Sequence, residues 1–223
     1  MPPTTVLGVD GAPGGWAVAR VVVDGGRARE VVFSTVATFA GALADAGGAA
    51  GAVGVDMPVG LPERGRRACD LLAKRRLGWA HARVFLTPPR AVLGCASHPE
   101  ASALHRTLVD GRGMSVQTWH ILGKVAEVDD LAGDPRVLEV HPELSFTALA
   151  GHPLPPKRRP EGRAARRDAL RRWAGEVDLP PGTDHLDALA VAWTAARWLA
   201  GASEVLPPDP PRDARGRPMR IVV

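Results

Sequence analysis

The opening of the chain sets the strongest limit on the fold. Val6 to Val9 is a short apolar run ending at Asp10 and the turn cluster GAPGG, after which Trp16 to Val23 resumes a β-rich pattern. Asp24-Gly25-Gly26 supplies a second turn and Glu30 to Ser34 a third strand, so the chain begins as an antiparallel meander. Helical spacing at Phe39, Leu43 and Ala46 follows, closed by Gly47-Gly48. Gly51 to Val55 is a fourth apolar strand that ends at Asp56 and the breakers of MPVGLP. Three antiparallel strands followed by alternating helix and strand predict an α/β protein with a mixed sheet covered by helices.

Further along, Arg66 to Leu77 reads as a helix, and residues 83 to 116 are irregular and punctuated by Pro and Gly. Gln117 to Leu131 has helical spacing at Trp119, Leu122, Ala126 and Asp130. Val137 to Val140 is a fifth strand, running into Glu139, His141 and Glu143, with a short helix from Glu143 to Ala150. Residues 151 to 162 form a Pro-rich linker, Gly162 to Ala174 a basic helix, and Asp184 to Ala200 an amphipathic helix stopped by Gly201. A length of 223 residues suits one domain, 1–223, with irregular insertions near 60–118 and 151–180.

Composition narrows the function classes only a little. A formal charge of +4 and a pI near 9.8 permit an anionic partner, but only Lys74, Lys124 and Lys157 are lysines, so arginine carries nearly all the basicity. Cys69 and Cys95 make neither a disulfide framework nor a four-ligand zinc site, which points to a reduced, cytoplasmic compartment. The start MPPTTVLGVDG lacks a signal-peptide pattern, and the apolar stretch Leu186 to Ala202 is broken by Asp187 and Arg197, so no membrane span is expected. Oligomeric state is not legible.

The segments VLGVDGAPGGWAVA, VGVDMPVGLPERGRRACDLL, VFLTPPR, GMSVQTWHILGKVAEVDD, LEVHPELSF and DHLDALAVAWTAARW occur in one order over nearly the whole chain. Together they resemble the domain-of-unknown-function family four-two-nine, described as predicted RNase H-fold nucleases. The family often has a cysteine in the first turn where this chain has Ala12, which argues against a cysteine-based reaction. DHLDALAVAW is also similar to the last-helix DxxD of RuvC-type resolvases, where metal-binding carboxylates stand; carried over, that points to Asp184 and Asp187. The resemblance implies an RNase H-like five-stranded sheet, three antiparallel strands then parallel additions, flanked by helices.

Cleaving a phosphodiester with two metal ions needs carboxylates from distant parts of the chain, converging so that the ions sit roughly 3.5 to 4 Å apart. Asp10, Asp56, Asp184 and Asp187 are the expected ligands of Mg²⁺ or Mn²⁺, hard cations suited to oxygen donors, with Glu139 as a further catalytic candidate. Each has an ordinary structural alternative. Asp10 and Asp56 precede turns, where aspartate bonds to backbone amides, and Asp184 with Asp187 could cap a helix start. His141, Glu143 and Lys124 are secondary candidates for orienting substrate, with packing, helix initiation and solvation as their alternatives.

Lys157 to Arg172 holds eight basic residues against two acids, so Arg163, Arg166 and Arg167 are candidate contacts to nucleic-acid phosphates, DNA or RNA unresolved. With no tyrosine and four phenylalanines, base stacking has little support. The expectation is therefore a metal-dependent nuclease, a hydrolase of phosphodiester bonds. Two other classes stay open: an ATPase or kinase-like protein using an aspartate-glycine turn against nucleotide phosphates, and a non-catalytic module binding nucleic acid or protein on the same fold.

Overall fold

In the computed structural model, which describes residues 2–223, the meander is β1 (Thr4–Ala12), β2 (Gly15–Asp24) and β3 (Arg27–Val36). Strands β4 (Ala50–Val55) and β5 (Val137–Glu139) complete one sheet of order β3-β2-β1-β4-β5. The first three strands are antiparallel, and β4 and β5 add in parallel beside β1. This is the RNase H-like arrangement that the resemblance implied. β1 runs past Asp10 to Ala12 because Gly11 and Ala12 pair with Trp16 and Gly15, leaving only Pro13 and Gly14 (φ +73°) for the turn.

The chain divides into two compact units. One holds the residues up to 57, 134–204 and 222–223; the other holds 58–133 and 205–221. In the first, the sheet is accompanied by α1 (Phe39–Ala46), α5 (Pro142–Ala150), α6 (Pro160–Ala174) and α7 (Asp184–Leu199). Its core joins Val6, Ala17, Ala19 and Ala52 of the sheet to Leu186, Leu189 and Val191 of α7 and to Leu170 and Trp173 of α6.

The second unit contains α2 (Ala68–Leu77), α3 (His98–Leu108) and α4 (Val116–Leu131), with a small core of Val92, Ala101, Met114 and Leu122. Two short strands, β6 (Val205–Leu206) and β7 (Ile221–Val222), pair with each other. α3 falls within the stretch expected to be irregular. Its start is specified by Ser97, whose hydroxyl accepts from the Glu100 amide, while the Glu100 carboxylate accepts from Ala96 N at 2.9 Å. Pro99 sits in the first turn, where a missing N–H costs nothing. Among the described residues no helix is long and apolar enough to cross a membrane.

Candidate active site

Two glycines bring α7 onto the sheet. A Cβ on Gly8 would lie 1.8 Å from the Ala188 carbonyl oxygen and 2.4 Å from Ala192 N, and one on Gly54 would lie 2.7 Å from Val191 Cγ1. The missing side chains, with alanines at 188, 192 and 195 all fully buried, let helix and strand backbones touch. Leu199, at the far end of α7, meets Gly51 at the start of β4. The helix therefore runs antiparallel to β1 and β4, and its first turn, with Asp184 and Asp187, lies at the strands' C-terminal ends.

The same ends carry Asp10 and Asp56. Val9 pairs with Val55 and Asp56 N donates to Val9 O at 2.9 Å, so the two aspartates follow one another across adjacent parallel strands. Side chains alternate along a strand, so Asp10 leaves the sheet on the face of Gly8, and Asp56 on that of Gly54. Both glycines face α7, and so do both carboxylates. Asp10 and Asp187 are buried and Asp56 is partly buried.

Their electrostatics report this crowding. Burial, then repulsion from Asp56 and Asp187, holds the Asp10 carboxyl well above the ordinary range, against some relief from Lys157. Burial likewise pushes Asp56 up to about 7, with Lys157 and a hydrogen bond from Asp10 opposing the shift. Asp187 is pushed up to about 6, again by burial first, with the Lys157 charge acting against it. Three carboxyl groups thus share a space too poor in positive charge to ionise them all easily.

Asp187 does not cap its helix. Thr183 precedes the first turn, its carbonyl accepting from Asp187 N at 2.9 Å. One side-chain oxygen, Oδ2, accepts from Lys157 Nζ at 2.6 Å. The other, Oδ1, is buried with no hydrogen-bond partner, the one such carboxylate oxygen among the described residues. An unsatisfied buried acceptor is costly and calls for an explanation such as a bound ion. The donors are hard carboxylate oxygens, the chemistry that suits Mg²⁺ or Mn²⁺. Yet among the described residues no three His, Cys, Asp or Glu side chains are gathered tightly enough to hold a metal ion. The cation at this cluster is the Lys157 ammonium.

Lys157 is the residue that sequence reasoning overlooked, since it lies in the linker among arginines. The segment leading to it is anchored by Arg166, which donates to the Pro155 carbonyl at 2.8 Å and, within its own helix, to Gly162 O at 2.9 Å. The same guanidinium donates to Glu143 Oε1 at 2.5 Å and lies over the Phe146 ring. Gly162 lets the segment come close, since a Cβ there would be 2.1 Å from the Pro156 carbonyl oxygen. Arg166 is therefore fully buried and cannot be the surface phosphate contact expected of it. The helix period explains the difference: Arg166, Ala169, Leu170 and Trp173 form the inward stripe of α6.

The remaining candidates are distributed unevenly. Asp184 is partly buried, accepts from the Thr183 hydroxyl at 3.2 Å and contributes to the repulsion on Asp10. Glu143 is buried and adds negative potential at Asp56 and Asp187, although its charge is paired with Arg166. His141 caps α5, its Nδ1 accepting from Glu143 N at 3.2 Å. Glu139 departs from expectation: it stands in register with Val55, so strand alternation turns it to the sheet face opposite Asp56. Lys124 lies on α4, in the second unit. Arg163 and Arg167 stay partly exposed while donating to the Arg158 carbonyl at 2.9 Å and the Leu179 carbonyl at 3.0 Å.

The family match agrees with the motif reading. Residues 8–212 match the family described as protein of unknown function (DUF429). No curated protein matches the chain. Among solved structures, Thermus thermophilus RuvC is similar at 18% identity and a TM-score of 0.45, over 89% of this chain and 98% of that one. RuvC of the same organism in complex with its Holliday junction substrate is similar at 18% and 0.45, over 89% and 97%.

Proposed function

The chain belongs to the DUF429 family, and on the chemistry of its carboxylate cluster we propose that it is a divalent-metal-dependent nuclease hydrolysing nucleic-acid phosphodiester bonds. The observation that carries this reading is the placement of Asp10, Asp56 and Asp187 at one end of the sheet, under-neutralised, with one buried Asp187 oxygen left without a partner. Asp10, Asp56 and Asp187 would hold Mg²⁺ or Mn²⁺, with Asp184 beside them; a bound ion would activate water and stabilise the leaving oxygen. α7 supports the charge, because its N-terminal turn directs positive dipole toward Asp184 and Asp187.

A nucleic acid is favoured over a small phosphate ester by the surface beside the site. Lys157, Arg158 and Arg159 form an exposed basic turn, and Arg163 follows on α6. Phosphate contact passes to these residues from the buried Arg166, with Arg167 at the margin. Such contacts recognise backbone charge and are equally open to DNA and RNA.

The test is Asp187→Asn, which keeps size and removes the negative charge. Wild-type protein should cleave at least one of single-stranded, duplex or four-way-junction DNA or RNA when Mn²⁺ or Mg²⁺ is present. The variant should lose that cleavage and bind Mn²⁺ more weakly in calorimetry, while its metal-free melting temperature does not fall. Unaltered Mn²⁺ affinity and cleavage in the variant would remove Asp187 from the centre and overturn the reading.

A further inference from the structure

The positive charge in the carboxylate cluster belongs to a flexible side chain. Lys157 reaches Asp187 Oδ2 at 2.6 Å while its side chain remains 47% exposed, whereas Asp187 itself is 4% exposed. The two residues before the lysine are anchored, Pro155 by the Arg166 guanidinium and Pro156 by the close approach at Gly162, while the ammonium sits at the end of a four-carbon arm. Its charge acts on Asp10 and Asp56 as well as on Asp187. Meanwhile Asp187 Oδ1, on a side chain more than nine-tenths buried, has no partner.

These observations fit one arrangement. We infer that Lys157 is a built-in counter-cation of the metal-free site: it and a divalent ion compete for the same carboxylate oxygens, and metal binding releases the ammonium toward the substrate phosphate. The inference rests on the proposed divalent site and adds the way that site is held before the ion arrives. Without Lys157, the carboxyl groups of Asp10, Asp56 and Asp187 would repel one another with no cation among them. With Lys157 in place, the cluster keeps its geometry, and the ion must displace a charge of the same sign. The released ammonium lies beside Arg158 and Arg159, both exposed, and joins them as a phosphate contact.

Competition predicts a gain of metal affinity from removing a basic residue, the reverse of what a merely structural lysine would give. Mn²⁺ is titrated calorimetrically, at pH 8 and without air, into the full metal-free chain and into Lys157→Met. The variant should bind at least about fivefold more tightly, the low end of ordinary coupling between two sites. Its metal-free melting temperature should drop and be restored by Mn²⁺; should Lys157→Met fail to fold, Lys157→Gln carries the same expectation. The chain has only three lysines, so the Lys157 ammonium can be followed by nitrogen NMR, and its signal should move to that of a free lysine as Mg²⁺ saturates.

An unmoved ammonium signal, or unchanged or weaker Mn²⁺ binding in Lys157→Met while wild type binds, would overturn the competition and leave the nuclease reading standing. If neither protein binds Mn²⁺, both fall together.

Discussion

Both units of this protein bury aspartates, and they treat them in opposite ways. In the second unit Asp129 receives Arg217 at 2.7 Å on one oxygen and Arg215 at 2.8 Å with Arg90 on the other. Asp213 is met by Arg90, by Leu61 N at 3.1 Å, and by the amides of Arg215 and Arg217 at 2.9 and 2.8 Å. Asp70 is held by Arg67 at 2.5 Å and the Thr87 amide at 2.8 Å. Every oxygen there is matched by donors. In the first unit Asp10, Asp56 and Asp187 share a single half-exposed lysine, and one Asp187 oxygen has nothing. Saturated carboxylates fix a fold; starved ones leave capacity for a ligand.

The sharpest way to test that division is to neutralise a saturated carboxylate. Asp129→Asn strips the charge that three guanidinium groups converge on, and breaking such a buried set costs about 3–5 kcal/mol. Urea denaturation should record that loss. A cost below about 1 kcal/mol, the range of exposed ion pairs, would place Asp129 with the starved carboxylates instead.

Next in size is the contact that assembles the starved cluster. Gly8→Ala drives a methyl against the Ala188 carbonyl, and backbone cannot step aside as a flexible side chain would. Overpacking of this kind costs about 1–3 kcal/mol or more. Because Asp187 rides on the same helix turn, Mn²⁺ affinity should fall along with stability. A destabilised variant with unchanged Mn²⁺ affinity would show that helix placement and the site are separable.

How much of this was legible depended on the kind of signal each residue left in the chain. Asp10 and Asp56 stood out because each ends an apolar run, and adjacent parallel strands then align them. Asp187 was legible through the family motif, since its spacing from Asp184 suits a helix start equally well. Glu139 was misjudged because face parity depends on register: the pairing of Glu139 with Val55 is set by packing, not by the local pattern. Arg166 was readable and missed, for its spacing from Leu170 and Trp173 already put it on the inward stripe. Lys157 left no signal that set it apart within its basic run; the path of the preceding segment, anchored at Pro155 by Arg166 and drawn close at Gly162, accompanies its reach to the cluster. The Asp129 and Asp213 network, built from residues far apart in sequence, left none either.

The last effect is the most diagnostic, because its sign changes with the class of carboxylate. Asp56 titrates near 7 in the folded chain, against about 3.9 when unfolded. Between those values Asp56 holds its proton more often in the folded state than in the unfolded one, so its contribution to metal-free stability falls as pH rises from about 4 to about 7. Asn cannot ionise. Asp56→Asn should therefore melt above wild type at pH 8, by about 2–4 °C for each kcal/mol recovered in a chain of this size, and at pH 4 the two should nearly coincide. Relief of repulsion at Asp10 adds to the gain, while the hydrogen bond between the two side chains, partly lost in the amide, limits it. Melting curves of metal-free protein at pH 4, 6 and 8 read the sign directly. If Asp56→Asn melted lower than wild type at pH 8, the charge on Asp56 would be holding the fold together through Lys157. The first unit's carboxylates would then belong with Asp129 and Asp213, stabilised by their cation and not starved of it.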